Sequence, residues 1–140
     1  MSVRMKIAVE RLRLKAPFRI SGYVFEAFDV IVVTLDDGPH RGRGEAAGAY
    51  YLGENAENMI EALEPHRADI EAGISRAELQ SLLPPGGARN AVDCALWELE
   101  SARLAQPAWK IAGLDPPRPP VTTFTLRADE PATVEEGARR

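Results

Sequence analysis

The amino-acid sequence predicts an α+β fold in which a three-stranded antiparallel meander is followed by a bundle of helices. Two observations carry this prediction. The first part of the chain holds runs of alternating or β-branched apolar residues separated by turn residues, a pattern typical of strands. The middle part holds apolar residues at the i, i+3, i+4 and i+7 spacing of helices, preceded by capping or Pro/Gly residues.

Three segments of the first part have the composition of strands. We expect these strands over residues 5–15, 28–35 and 41–47. Pro17 ends the first, and Asp36-Asp37-Gly38 turns the chain between the second and the third. Gly42 and Gly44 inside the third strand indicate that another stretch of backbone approaches it closely.

Two short aromatic segments, residues 18–26 and 48–53, are predicted to be loops. The first has no clean period and contains Ser21-Gly22, a pair typical of turns. Its large apolar side chains are Phe18, Ile20, Tyr23, Val24 and Phe25. So many apolar groups in a loop imply that they pack onto a neighbouring surface or line a pocket.

Helices are predicted for most of the stretch between Asn55 and Gly113. Asn55 is a good N-cap for the first helix, and Pro65 must break that helix. Ser75-Arg76-Ala77-Glu78 is a capping box that starts another helix. A final turn over residues 108–112 closes at Gly113.

The strongest helical pattern in the chain follows the breaker Pro84-Pro85-Gly86-Gly87. Its apolar residues lie at 88, 91, 92, 95, 96, 99 and 102, which is the spacing of one buried helix face. Trp97 falls outside this stripe, among Asn90, Asp93 and Ser101. Such a Trp either marks a second contact surface or covers its own helix.

Four prolines between Asp115 and Pro120 predict a stiff linker and a domain boundary. We therefore expect a first domain over residues 1–114 and a further segment over 121–140. Residues 121–126 have the composition of one strand, and residues 131–136 that of the first turns of a helix. Because one strand and part of one helix cannot make a domain, the chain is expected to be cut short after the linker.

Composition and charge exclude several classes of protein. A net charge of −4 argues against a nucleic-acid or anionic-membrane partner. No run of about 18 apolar residues could span a membrane, and the first residues form no apolar signal segment, so we expect a cytoplasmic protein. Cys94, the single cysteine, is expected to be a small buried hydrophobe rather than a reactive thiol.

The residues of this chain do not predict a self-contained active site. His40 and His66 have no partner at metal-ligand spacing and are interpreted as solvated surface residues. Phosphate-binding, nucleophile-elbow and C-x-x-C motifs do not occur in the sequence. We therefore expect no catalytic residue and no metal ligand in this chain.

Residues 79–99, with the sequence LQSLLPPGGARNAVDCALWEL, closely resemble the end of the N-terminal capping domain of enolase-superfamily enzymes. Within that superfamily they are most similar to the muconate lactonizing subgroup, and specifically to dipeptide epimerases of the L-Ala-D/L-Glu type. Gly42-Arg43-Gly44-Glu45, Pro17-Phe18 and Thr122-x-x-Thr125 fit the same pattern. The resemblance covers essentially the whole chain.

The resemblance implies a cap that closes over the C-terminal face of a (β/α) barrel. The barrel would supply two lysines, which remove and return a proton at the α-carbon of a dipeptide, and three carboxylates that hold Mg²⁺. These residues would lie beyond Arg140, so the whole enzyme is expected to be a Mg²⁺-dependent isomerase and this chain to be inactive alone, with no Mg²⁺ bound. Residues 121–126 would be the first barrel strand.

In the family, two segments of the cap reach the mouth of the active site, and they match residues 18–26 and 48–54. The substrate-binding residues that this match implies are Tyr23, Val24, Phe25, Tyr50, Tyr51 and Thr125. In relatives that act on Ala-Glu, the resemblance implies an arginine in the first segment that meets the acidic side chain of the substrate. In this chain Tyr23 and Val24 stand at the matching positions, and the only arginine of that segment is Arg19. We therefore expect a hydrophobic or cationic dipeptide side chain rather than an acidic one.

Two other interpretations stay open. The chain could be the cap of another enolase-superfamily enzyme, an N-acylamino-acid racemase or a cycloisomerase, or it could be a free-standing, non-catalytic binding module. The strand and partial helix after the linker favour an enzyme cap, because a dedicated module has no use for part of a barrel. We also expect self-association, through the barrel-facing surface at Asn90, Asp93 and Trp97 or through the unpaired edges of strand 121–126.

Overall fold

The computed structural model describes residues 2–20, 22–123, 125–126 and 128–139. The strands are β1 (Arg4–Ile20), β2 (Tyr23–Asp36) and β3 (Arg41–Ala46). The helices are α1 (Ala56–Leu63), α2 (Arg67–Glu71), α3 (Arg76–Leu82), α4 (Gly87–Leu104), α5 (Ala108–Ile111) and α6 (Pro131–Ala138). Tyr50–Leu52 and Glu64–His66 form short 3₁₀ turns.

The chain divides into two compact units. The core unit comprises Met1–Glu10 and Asp29–Pro117, and the hairpin unit comprises Arg11–Phe28 and Arg118–Arg140. The core unit thus holds β3 and helices α1 to α5, while the hairpin unit holds the turn between β1 and β2 together with α6.

The sheet has the order β1-β2-β3, which confirms the predicted meander. β2 and β3 are antiparallel, with Ile31 opposite Ala46 and Asp36 opposite Arg41. The turn between them forms because the side chain of Asp36 accepts a hydrogen bond from the Gly38 N–H (2.8 Å), as turn-forming aspartates do.

The loop predicted for residues 18–26 is wrong over most of its length. β1 continues through Pro17 to Ile20 and β2 begins at Tyr23, with Gly22 at a φ of 85° between them. Aromatic and β-branched residues on both sides of Gly22 are good strand formers, so the segment is a hairpin end. Pro17 is tolerated because β1 is an edge strand, where a missing N–H need not break the ladder.

Helix α4 lies so close to β3 that only glycine fits at two positions of that strand. A Cβ atom at Gly42 would overlap the Ala95 carbonyl oxygen, and one at Gly44 would overlap the Ala91 carbonyl oxygen. This confirms the close approach that the two glycines predicted. The buried face of α4 is Ala88, Ala91, Val92, Ala95, Leu96 and Leu99. It matches the predicted stripe except at Ala102, which is exposed.

The capping predictions for the shorter helices are confirmed. The side chains of Asn55 and Ser75 each accept a hydrogen bond from the backbone N–H three residues on, and their own backbone N–H groups donate to that residue's side chain. The first predicted helix breaks at Pro65, where a 3₁₀ turn separates α1 from α2.

The strand expected over residues 121–126 is not present among residues 121–123 and 125–126, which have no regular structure, while Phe124 lies outside the described residues. An isolated strand leaves its backbone N–H and C=O groups without partners, so local composition alone does not maintain it. The helix predicted after it is confirmed as α6.

We expect Gly44→Ala to destabilise the protein by about 2 kcal/mol or more, because the new methyl group meets backbone atoms that cannot rotate away. Urea unfolding followed by circular dichroism measures this loss. Arg43→Ala is the matched control, since Arg43 is exposed on the same strand, and it should change the free energy of unfolding by about 0.5 kcal/mol or less. An unchanged urea midpoint for Gly44→Ala would contradict the packing described above.

Candidate functional site

The end of the β1–β2 hairpin carries a row of aromatic rings. The rings of Tyr23 and Phe25 stack with their centroids 5.9 Å apart, and the rings of Phe25 and Phe28 stack at 5.1 Å. Tyr23 and Phe25 come together because alternate residues of a strand share one face, and Val24 accordingly lies on the other face. Tyr23 and Val24 are about half exposed, at 49% and 52%.

A cavity of about 540 Å³ lies within the hairpin unit. Its apolar lining includes Leu14, Phe18, Phe28, Leu126 and Val134. Its polar and charged lining includes Thr125, Lys15, Asp129, Thr133 and Glu136. The predicted site residue Thr125 therefore faces the same space as Phe28, which stacks on Phe25.

The lining segments of this cavity are held together by backbone and packing contacts. The Ala128 N–H donates a hydrogen bond to the Arg19 carbonyl oxygen at 3.0 Å, which joins the chain after Thr125 to β1. A Cβ atom at Gly137 would lie 3.3 Å from a methyl group of Leu126, so α6 packs closely on this segment. Phe28 is not among the predicted site residues, because the sequence places it only in the second predicted strand. The signal that could have found it is the aromatic series Tyr23, Phe25 and Phe28 within one short segment.

The second predicted segment lies in the core unit and forms the 3₁₀ turn Tyr50–Leu52. The rings of Tyr50 and Tyr51 meet edge to face at 5.3 Å, and Tyr51 and Leu52 are 71% and 73% exposed. The turn closes at Gly53, whose N–H donates to the Tyr50 carbonyl oxygen at a φ of 79°, a conformation that favours glycine.

Glu54, the last residue of the predicted segment 48–54, links this turn to α4. Its Oε2 accepts a hydrogen bond from the Ala49 N–H (2.9 Å), and its Oε1 accepts one from the Gly87 N–H (2.8 Å). These two donors, Ala49 first, hold the pKa of the Glu54 carboxyl below its usual value against the opposing effect of burial. The carboxylate is therefore charged at neutral pH.

Asn90 and Trp97, which lie outside the buried stripe of α4, both make contacts within the core unit. The Arg76 guanidinium lies 3.4 Å above the centre of the Trp97 ring, and its Nε donates to Glu100 Oε2 at 2.8 Å. Asn90 donates to the Glu45 carbonyl oxygen at 3.4 Å, which satisfies part of the outer edge of β3. Trp97 is thus partly buried beneath a cation from α3.

The single cysteine differs from expectation. Cys94 is exposed, so the prediction that it is a buried hydrophobe is wrong; it lies at the margin of the helix face that packs on β3, where its Cβ would be 2.9 Å from a Cβ atom at Gly44. Partial burial and the neighbouring Asp93 carboxylate raise the pKa of its thiol, which keeps the thiol protonated at neutral pH.

Within the described part of the chain, no group of three or more His, Cys, Asp or Glu side chains could hold a metal ion. These residues therefore do not fit a Mg²⁺ site. Nor does any helix in that part have the length and apolar character needed to cross a bilayer.

Curated relatives of the chain include an epimerase and a racemase, although no family model matches the chain. The L-Ala-D/L-Glu epimerase of Escherichia coli (strain K12) is 31% identical over 134 residues, which are 96% of this chain and 42% of that protein. The N-acetyl-D-glutamate racemase of a Pseudoalteromonas species is 35% identical over 113 residues, which are 76% of this chain and 34% of that protein.

Solved structures agree with these relatives. An enolase family member from Agrobacterium tumefaciens with homology to dipeptide epimerases, with bound sodium and L-Ala-L-Glu, has a TM-score of 0.90 at 34% identity and covers 96% of this chain and 41% of that one. A dipeptide epimerase from Methylococcus capsulatus, complexed with Mg and the dipeptide L-Arg-D-Lys, has a TM-score of 0.69 at 27% identity and covers 81% of this chain and 35% of that one.

The meander and the helical bundle are the fold that this chain shares with a solved enolase family member. The chain belongs to the enolase superfamily, and its relatives within it include dipeptide epimerases, as the resemblance of residues 79–99 predicted. It spans about two-fifths of the length of the Escherichia coli and Agrobacterium tumefaciens proteins.

We expect Arg76→Ala to expose the Trp97 ring and to cost about 0.5–1 kcal/mol of stability, because the cation over the ring is lost. In a Trp109→Phe background, the emission maximum of Trp97 should move to longer wavelength and acrylamide should quench it more strongly. Glu100→Gln is the control, since it keeps the guanidinium but removes the charge of its partner. Unchanged emission in Arg76→Ala would contradict this contact.

Proposed function

We propose that this chain is the capping and substrate-selecting part of a dipeptide epimerase, an isomerase that moves a proton at the α-carbon of a dipeptide. The observation that carries the proposal is the combination of 31% identity to an L-Ala-D/L-Glu epimerase over 96% of the chain with a TM-score of 0.90 to a dipeptide-bound relative. In this proposal residues 1–114 are the cap, 115–120 the linker and 121–140 the start of a (β/α) barrel.

The proposal assigns proton transfer and Mg²⁺ binding to the barrel. The Methylococcus capsulatus relative is complexed with Mg, whereas the described residues of this chain offer no ligand set for it. The chain's own part is to bind and orient the dipeptide and to exclude water. Aromatic side chains suit that part, because they bury a large apolar area with little loss of conformational freedom.

The contacts with the dipeptide are proposed for the residues of the two aromatic segments. In the hairpin unit these are Tyr23, Val24, Phe25 and Thr125; in the core unit they are Tyr50 and Tyr51. The stack of Tyr23 on Phe25 and the cavity that contains Thr125 support the first group, and the exposure of Tyr51 supports the second.

The proposed substrate is a dipeptide with a hydrophobic or cationic side chain. Tyr23 and Val24 offer rings and methyl groups where a guanidinium would be needed to pair with a carboxylate, and Glu26 adds a negative charge nearby in the strand. This differs from the acidic dipeptides in the names of the Escherichia coli and Agrobacterium tumefaciens relatives.

A chimera tests the activity and the substrate class together. Residues 1–140 would replace the matching N-terminal part of the Escherichia coli epimerase, and α-proton exchange of L-Ala-L-Phe, L-Ala-L-Lys and L-Ala-L-Glu would be followed by NMR in D₂O with Mg²⁺. We expect exchange by the chimera, with a larger kcat/KM for the Phe or Lys dipeptide than for the Glu dipeptide, and none by the 140-residue chain alone.

Each negative result removes a different part of the proposal. A chimera that folds and binds Mg²⁺ but exchanges no dipeptide would overturn the proposed activity. Faster exchange of L-Ala-L-Glu than of both other dipeptides would overturn only the proposed substrate class. Exchange by the 140-residue chain alone would place catalytic groups in this chain.

A charge substitution in the hairpin gives a finer test of the substrate class. We expect Val24→Arg in the chimera to raise kcat/KM for L-Ala-L-Glu relative to L-Ala-L-Phe about tenfold, since one new ion pair at a partly desolvated site contributes on the order of 1–2 kcal/mol. Val24→Met is the matched control, because it adds length without charge. Equal effects of the two substitutions would mean that Val24 does not face the dipeptide side chain.

A second candidate function is racemisation of an N-acylamino acid. The identity of 35% over 113 residues to an N-acetyl-D-glutamate racemase favours it. Adding N-acetylated Phe, Lys and Glu to the same exchange measurement distinguishes the two, because a racemase should exchange these compounds faster than the dipeptides.

A further inference from the structure

Glu54 closes the aromatic segment Gly48–Gly53 on itself. Its backbone N–H donates to the Ala49 carbonyl oxygen at 3.2 Å, while its side-chain Oε2 accepts from the Ala49 N–H at 2.9 Å. The same Ala49 carbonyl also accepts from the Leu52 N–H at 2.8 Å. One residue therefore holds both polar groups of Ala49 and brings the two ends of the segment together.

The other carboxylate oxygen of Glu54 reaches the first residue of α4. The N–H groups in the first turn of a helix have no acceptor within the helix, and the N-cap residue Gly86 has no side chain to supply one. Glu54 Oε1 accepts from the Gly87 N–H at 2.8 Å and takes the place of that missing cap. The positive end of the 18-residue helix also favours a carboxylate at this position.

The surrounding chain leaves room for this carboxylate and little else. A Cβ atom at Gly86 would lie 2.6 Å from Glu54 Oε1, and one at Gly48 would lie 3.0 Å from the Cβ of Glu54. Any larger residue at Gly86 would push the carboxylate away from the Gly87 N–H. The breaker before α4 therefore does more than start a helix, because Gly86 also leaves space for the Glu54 carboxylate.

The side chains of the segment do not hold it in place by burial. Tyr51 and Leu52 are 71% and 73% exposed, so few packing contacts determine where their backbone lies. The Glu54 carboxylate instead connects the turn to α4 by two hydrogen bonds, one from the Ala49 N–H within the segment and one from the Gly87 N–H of the helix. Asn58 adds one more at the far end, through the Gly53 carbonyl oxygen at 2.8 Å.

We propose that Glu54 is the positioning residue of the aromatic segment Gly48–Gly53: by joining Ala49 to the first turn of α4, it holds Tyr50 and Tyr51 in the arrangement that contacts the dipeptide. The contact with the dipeptide rests on the proposed function, whereas the positioning itself does not. Glu54 does not touch the reacting atoms and acts through the segment it anchors.

Amide hydrogen exchange of the 140-residue chain tests the positioning without any activity. In Glu54→Gln the amide nitrogen of the new side chain faces one of the two N–H donors, so one hydrogen bond and the charge are lost. We expect the amides of Ala49, Leu52, Gly53 and Gly87 to exchange about tenfold faster, with the amides of β2 unchanged. Glu61→Gln, an exposed change on α1, is the matched control and should exchange like the wild type.

The chimera described above then tests the connection to substrate. We expect Glu54→Gln to raise KM for the dipeptides about tenfold and to change kcat little, because the barrel groups that move the proton are untouched. Rates at the four amides that equal the wild type would overturn the inference, whatever the chimera does. Faster exchange at those amides with unchanged KM would overturn the contact of Tyr50 and Tyr51 with the dipeptide and leave the proposed epimerase activity standing.

A second variant covers a general loss of structure. If the amides of β2 also exchange fast in Glu54→Gln, the exchange of Glu54→Asp is measured. The shorter aspartate keeps the charge near the helix end but cannot reach both N–H donors. Acceleration confined to Ala49, Leu52, Gly53 and Gly87 supports the positioning role. Acceleration throughout β2 would overturn it in favour of a purely structural cap.

Discussion

The core unit depends on how closely α4 can approach β3. The backbone of the helix lies directly against Gly42 and Gly44, and the facing helix residues, Ala91 and Ala95, are small as well. Close contact of two backbones leaves no room for water and gains dispersion energy along the whole interface. It also means that any added atom must be accommodated by moving the helix itself. The rest of the unit is arranged around this contact.

Two side chains of α4 add hydrogen bonds to this helix–strand contact. Asn90 and Glu98 of α4 reach the outer edge of β3, where Asn90 donates to the Glu45 carbonyl and Glu98 accepts from the Arg43 N–H. An edge strand whose polar groups are satisfied in this way is a poor template for pairing with another chain. At its N-terminal end, α4 in turn provides the N–H that Glu54 binds.

This arrangement explains how the core unit presents an exposed aromatic turn that is tied to its central helix. Tyr50 and Tyr51 are exposed, yet Glu54 on one side of them binds both the Ala49 N–H on the other side and the Gly87 N–H of α4. The hairpin unit uses a different means, since Tyr23, Phe25 and Phe28 support one another by stacking. Exposed apolar surfaces of both kinds suit the proposed role of a substrate-binding cap.

Much of the fold followed from local patterns. The buried stripe of α4, the caps at Asn55 and Ser75 and the close approach at Gly42 and Gly44 were all predicted, because each depends on residues near one another in the chain. The hairpin was missed because Pro17 and the pair Ser21-Gly22 are breakers on any local scale. Only the position of β1 at the sheet edge makes a proline acceptable there.

The sequence by itself determined the class of fold, the order of its elements and the family, since periodicity, capping residues and the motif at 79–99 are properties of short segments. Tertiary structure alone decided which distant groups meet. Glu54 finds one donor five residues away and another 33 residues away, and Thr125 shares a cavity with Phe18 and Phe28. No local pattern encodes such pairs, because they form only when packing has set the path of the backbone between them.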